Sequence, residues 1–253
     1  MREASEIYAL SNELPTSRFS NRPLYLQVRD AIAQKVANGE WKPRTAIPNE
    51  TELAREFGVS PGTMRKALDL AETERLVTRR QGRGTFVNDQ TSEEYATRYS
   101  KLRSRDGRRM DGDVEVLSVH ETTVGESEGM RLRLRARDRV HQIRRVWSNN
   151  GKPYMVEDVV LSARLFPGLK SHDEASQHLT VLAQQFGVLL GRGDELITIS
   201  DAEPDVASAL QVSSGTALMR LDRVVYTLQG VPAEWRLGHC LTEEGRYYMA
   251  QFS

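Results

Sequence analysis

Residues 49–87 carry the pattern that most restricts the fold. Two short apolar-periodic segments meet at Gly58-Val59-Ser60-Pro61, and a β-like hairpin, VTRRQGRGTFV, follows directly at 77–87. In NETELAREF, Asn49 is placed to cap a helix with Glu52 as its capping-box partner, and Leu53, Ala54 and Phe57 supply the apolar face. Gly58 gives a sharp turn, Ser60 caps the next helix, and Pro61 takes its first position. That helix, 61–73, places Met64, Ala67, Leu68 and Ala71 on one face. Gly62, Arg65, Lys66, Asp69 and Thr73 fall on the other. Two helices across a short Gly turn, the second basic on its open face, predict a helix-turn-helix.

The hairpin says what those helices are for. Residues 77–80 and 84–87 predict two short strands around a tip at Gln81-Gly82-Arg83. Arg79, Arg80 and Arg83 crowd that tip. Their mutual repulsion destabilises a hairpin that is only structural. Against a duplex the same charges neutralise phosphates, and Gly82 and Gly84 let the backbone approach closely. The expectation is a winged helix, its second helix in the major groove and its wing on the backbone or in the minor groove. A further helix precedes it, opened by Asn21-Arg22-Pro23, with Leu24, Val28, Ala31, Ile32 and Val36 turned inward and Asn38-Gly39 at its end.

Charge agrees with this division. The chain has 35 basic and 35 acidic residues, yet residues 22–87 hold 12 Lys and Arg against 8 Asp and Glu. Residues 112–253 hold 15 against 19. A basic front half suits a polyanionic partner. The expected organisation is a flexible arm at 1–20, a winged-helix domain at 21–88, a linker at 89–111 and a second domain at 112–253.

In the second domain, strand-like runs fall at 114–119, 141–147, 155–160, 197–199, 217–228 and 233–241. Asn149-Asn150-Gly151-Lys152-Pro153 and Gln229-Gly230-Val231-Pro232 read as hairpin turns. Helices are expected at 174–186 and 205–210. The fold class is α+β, with helices on an antiparallel sheet. The run MRLRLRARDR at 130–139 reads as an exposed alternating segment with Met130, Leu132 and Leu134 inward, or as a second polyanion site.

Several functions are disfavoured. No apolar run is long enough to span a bilayer, and the first residues lack a secretory core, so a cytoplasmic protein with no membrane partner is expected. The single Cys240 excludes an intrachain disulfide. The five histidines show no metal-ligand spacing, and neither a nucleophile elbow nor a phosphate-binding Gly loop occurs. No catalytic residue, cofactor or metal is expected.

PLYLQVRDAIAQKVANGEWKP, IPNETELAREFGVSPGTMRKAL and RLVTRRQGRGTFV resemble the DNA-binding domain of the GntR family of bacterial transcription regulators. The resemblance implies operator binding as a dimer, with contacts at Thr51, Ser60, Pro61, Thr63, Arg65 and Gly82; Gly62, Lys66, Arg79, Arg80, Gln81 and Arg83 complete the expected DNA-binding set. The family usually has Arg where this chain has Thr51, and often where it has Pro61. Its Pro-Gly turn is Pro43-Arg44 here, and its helix-ending Gly is Arg75.

IRRVWSNNGKPYMVED, SQHLTVLAQQFGV and DVASALQVSSGTALMRLDRVVYTLQGVPAEW resemble the UTRA effector domain of the HutC-like subgroup, a fold shared with chorismate lyase. That resemblance implies a homodimer whose DNA affinity responds to a small effector. Arg145 matches the first member of a ligand-facing Arg-x-Arg pair, and Trp147 replaces the second. Glu157 and Glu234 match two acidic positions, and Gln177 falls where relatives carry Ser. One arginine and two carboxylates suit a ligand with one anionic group, and an aromatic part could stack on Trp147. The alternative is that Arg145 pairs with Glu157 or Glu234 across the sheet as a structural ion pair. The expected function is a ligand-responsive regulator, a repressor, of a double-stranded DNA operator. The alternative is a lyase-type enzyme carrying a DNA-binding localisation module.

Overall fold

The computed structural model describes residues 22–90, 92, 99–169, 171–242 and 245–250. The expected arm at 1–20 lies outside them, as do 91 and 93–98 of the expected linker. The chain forms two compact units, one built on residues up to Ser92 and the other on nearly all that follows.

The first unit packs α1 (Leu24–Ala37), α2 (Glu50–Glu56) and α3 (Pro61–Thr73) beside a hairpin of β1 (Val77–Arg80) and β2 (Gly84–Val87). The expected local signals operate. Asn49 and Glu52 form a reciprocal capping box, and Ser60 Oγ accepts from the Thr63 N–H. Met64, Ala67, Leu68 and Ala71 are buried with Val28, Ile32, Ala33 and Leu53. Leu24, expected inward, is exposed, because the helix begins there and Pro23 is its cap. Arg29 is buried instead, with Nη1 3.0 Å from Glu74 Oε1. Residues 45–47 brace the wing: the Ile47 N–H donates to Thr85 O at 2.9 Å and the Val87 N–H to Thr45 O at 3.0 Å.

The second unit is a six-stranded antiparallel sheet in the order β4-β5-β6-β9-β8-β7. Its strands are β4 (Asp113–Thr123), β5 (Arg139–Asn149), β6 (Lys152–Ser162), β7 (Leu190–Asp201), β8 (Ala217–Thr227) and β9 (Pro232–Cys240). Asn150 and Gly151 close the β5–β6 hairpin at φ 50° and 73°, as a type I′ turn requires. Helices α4 (Glu126–Leu132) and α7 (Pro204–Leu210) cover one face, α7 through Val206, Ala207 and Leu210 on Val146 and Val156. Helices α5 (His172–Ser176) and α6 (Leu179–Gln185) lie over the other. A two-stranded ribbon of β3 (Leu102–Arg103) and β10 (Tyr247–Tyr248) packs with Trp147, Met155 and Leu221. Tyr99, Leu102 and Met110, within the stretch expected as linker, are therefore buried in this unit.

Two expectations are corrected. Residues 130–139 do not run as an alternating segment. The chain forms α4 and leaves it at Arg133, which is left-handed at φ 53°, so Leu132 is buried while Met130 is 71% exposed. The single helix expected at 174–186 is broken. Gln177 and His178 are extended, with ψ 154° and 145°, and α6 restarts at Leu179. The break is stabilised from outside the helix, since Arg145 Nη1 donates to Ala175 O at 2.8 Å and Gln177 O at 2.9 Å. These carbonyls would otherwise be left without donors at a buried helix end.

Candidate nucleic-acid interface and ligand pocket

On the first unit, Thr51, Ser60, Pro61, Gly62, Arg65, Lys66, Arg80, Gln81, Gly82 and Arg83 are exposed, and Thr63 and Arg79 are half-buried. Their charges are not equally available. Arg65 Nη2 lies 2.8 Å from Glu50 Oε1. Arg79 is bound by Asp69 and faces Glu72 at 3.7 Å. The Arg80 guanidinium sits over the Phe86 ring, 4.9 Å from its centroid. Among the described residues no carboxylate pairs with Lys66, Arg80 or Arg83. Gly82 and Gly84 adopt φ 68° and 102°, conformations that keep the tip tight and free of side-chain bulk.

On the second unit, the sheet face under α5 and α6 holds a buried polar network. Glu157 is fully enclosed. Its Oε2 accepts from Arg145 Nε at 2.8 Å and from the Trp147 indole N–H at 2.7 Å, and its Oε1 from Arg236 Nη1 at 2.6 Å. Arg236 Nη2 donates to Glu195 Oε1 at 3.0 Å, and the Tyr248 hydroxyl to Glu195 Oε2 at 2.7 Å. Arg223 Nη2 donates to Glu234 Oε1 at 2.8 Å, and its Nη1 to the Tyr99 carbonyl. Burial pushes the Glu157 carboxyl up, but Arg236, Arg145 and the Trp147 N–H outweigh it and hold the group at about 2.

Beside this network lies about 470 Å³ of empty space, part of it open to solvent. Arg145, Trp147, Glu157, Arg223 and Arg236 line it from the sheet, and His178, Leu179 and Thr180 from the helical side. His178 stands 4.9 Å from the Trp147 ring, and burial followed by the Arg109 charge lowers its pKa. Burial pushes the Cys240 thiol up to about 12, which disqualifies it as a nucleophile at neutral pH.

The structure thus brings Arg145, Trp147 and Glu157 together. Glu234 pairs with Arg223 and not with Arg145. Gln177 meets Arg145 through its carbonyl, while its Oε1 is buried without a hydrogen-bond partner. The indole expected as a stacking platform already carries His178 and the Arg145 guanidinium, the latter 5.3 Å from its centroid. Sequence reasoning missed Arg223, Arg236 and Glu195. A signal existed in AEWRLG, where period-two alternation sets Arg236 on the same face as Glu234.

An exposed basic wing and helix on one unit, and a buried polar pocket on the other, define a DNA-binding regulator with a ligand-binding domain. Comparison with known proteins agrees. The family described as bacterial regulatory proteins, gntR family, matches residues 24–87, and the UTRA domain matches residues 107–244. The chain belongs to the GntR family of transcription regulators and carries a UTRA effector domain. It is 28% identical over 202 residues to the histidine utilization repressor of Pseudomonas putida, covering 79% of this chain and 81% of that one. It is 31% identical over 150 residues to the mannosyl-D-glycerate transport/metabolism system repressor MngR of Escherichia coli, covering 59% and 62%. A structure assigned as the ligand-binding domain of a GntR-family regulator from Bordetella bronchiseptica superposes with TM-score 0.55 at 27% identity, over 60% of this chain and 96% of that one. YydK from Bacillus subtilis shares the fold, with TM-score 0.54 at 15% identity over 92% of this chain and 100% of that one. The histidine utilization repressor and MngR are regulators and the chain belongs to their family, which speaks against the lyase-type reading. No helix among the described residues is long and apolar enough to cross a membrane.

Proposed function

We propose that the protein is a cytoplasmic, dimeric repressor whose hold on a double-stranded operator is set by a small effector with one anionic group. The observation that carries this reading is the cavity beside Arg145, Glu157, Arg223 and Arg236, in the domain that matches the UTRA family. Buried charges are costly unless they are paired or used. In the DNA-binding unit, Thr63, Arg65 and Lys66 read base edges, while Arg80 and Arg83 meet phosphates.

Two further features support the reading. Two of the relatives are named as repressors, one of histidine utilization and one of a mannosyl-D-glycerate transport/metabolism system. Strand β7 is an outer strand with Leu196, Ile197 and Ile199 exposed, which suits a surface covered by a second copy.

The test starts with duplexes selected from random DNA. Fluorescence anisotropy then measures affinity for the selected duplex with and without candidate metabolites. The expected result is tight binding that a metabolite weakens; a hundredfold change needs a coupling of only ~2.8 kcal/mol. Equal affinity for selected and random duplexes would overturn the operator reading.

A further inference from the structure

The pocket contains a pairing that sheet stability does not explain. Arg223 on β8 and Arg236 on β9 are direct cross-strand partners. Like charges opposite one another destabilise a sheet, and these two are buried at 5% and 8% exposure. Both line the cavity. Their terminal nitrogens are engaged, Arg223 with Tyr99 O and Glu234, Arg236 with Glu157 and Glu195. Their Nε–H groups are not: both are buried and make no hydrogen bond. Across the cavity the buried Thr180 Oγ1 is likewise without a partner. Buried donors are almost always satisfied in a native protein, and three such atoms on residues that line one cavity lack a partner.

Arg145 is held differently. Its Nε is given to Glu157 and its Nη1 to two main-chain carbonyls. It acts as a staple between the sheet and the α5–α6 break.

We infer that the effector is a small monocarboxylate whose carboxylate bridges the Nε–H groups of Arg223 and Arg236, with Thr180 Oγ1 bonding a polar group elsewhere on the ligand. The inference rests on the effector-binding reading above and specifies its chemistry. Three arginines in the network face three carboxylates, Glu157, Glu195 and Glu234, so the site has no net formal charge. Such a site accepts one negative charge more readily than the two of a phosphate monoester. A planar carboxylate has two acceptor oxygens, one for each guanidinium. With Trp147 at the second position of the expected Arg-x-Arg pair, the anion contact moves from β5 to the β8–β9 pair.

The experiment uses the full chain and matched probes: glycerate, imidazole-4-acetate and benzoate, each beside its primary amide, with glycerol 3-phosphate and phenyl phosphate. Melting temperature and calorimetric affinity are read for the wild type, Arg236→Lys and Arg236→Gln. The lysine variant keeps a cation beside Glu157 and Glu195 but loses the Nε–H donor, and a cooperative melt establishes that each variant folds. At least one acid is expected to bind roughly tenfold or more tighter than its amide and its phosphate counterpart, and both variants to lose roughly tenfold or more of that affinity. Three results would overturn the inference: amide or phosphate binding as well as acid, unchanged affinity in a folded variant, or no acid binding at all. If operator binding still responds to another metabolite, the regulator reading survives while the carboxylate assignment fails. If no metabolite changes operator affinity, the regulator reading itself fails.

Discussion

Arg145 and Glu157 are register partners across β5 and β6, both buried, with Nε 2.8 Å from Oε2. The pair is more than a cross-strand contact. The carboxylate is shared with Arg236 and Trp147, and the guanidinium also holds the carbonyls at the break between α5 and α6. One ion pair thereby fixes a strand, a neighbouring strand and two helices.

Acid should release that arrangement. The Glu157 pKa is depressed from 4.5 to about 2, so its stabilising contribution is complete above pH 4.5 and is lost as pH falls toward 2. The loss amounts to roughly 3 kcal/mol. Urea melts across this window should show the decline in the wild type and a flatter profile in Glu157→Gln. At neutral pH that variant should be less stable by about 3–5 kcal/mol, because two buried guanidinium groups lose a charged partner.

The indole donor can be isolated from the ring. Trp147→Phe keeps an aromatic group against His178 and deletes the N–H bonded to Glu157. A hydrogen bond to a buried charge is worth roughly 2 kcal/mol, and chemical denaturation should register a loss of that size. An unchanged midpoint would mean that the phenyl ring repacks at no cost.

Arg75 occupies a left-handed position at φ 59°, just beyond α3. Its side chain is exposed, and Asn88 bonds to its backbone carbonyl, an acceptor that any residue supplies. Arg75→Gly should therefore stabilise the first unit by about 1 kcal/mol, read as a higher urea midpoint. Arg44 at φ 65° should gain less from the same change, since its side chain pairs with Asp89 at 2.8 Å.

The wing arginines should differ from one another. Removing Arg80 and Arg83 together should flatten the dependence of log affinity on log salt by up to ~0.9 for each phosphate they neutralise. Arg79→Ala should change the slope less, because Asp69 and Glu72 already neutralise that side chain. Arg65→Ala should cost ~1–3 kcal/mol on the selected duplex and little on random DNA if the guanidinium leaves Glu50 for a base edge.

The winged helix was legible because its instructions are local. Asn49 with Glu52, Ser60 with Thr63, and Gly58 at φ 63° act within a few residues of where they stand. The same holds for Asn150-Gly151 at the β5–β6 turn. The break at Gln177 was not legible, since what stabilises it is an arginine on a distant strand. For the same reason sequence reasoning found Arg145 and Glu157 but offered Glu234 only Arg145 as a partner, where the structure gives it Arg223. Arg223 and Arg236 acquire their meaning only when β8 and β9 are set in register.

Arg223 lines the cavity and holds the Tyr99 carbonyl with the same side chain. Tyr99 follows closely in sequence on Ser92, where the first unit ends. One guanidinium thus ties the pocket wall to the chain at Tyr99, the first described residue after Ser92.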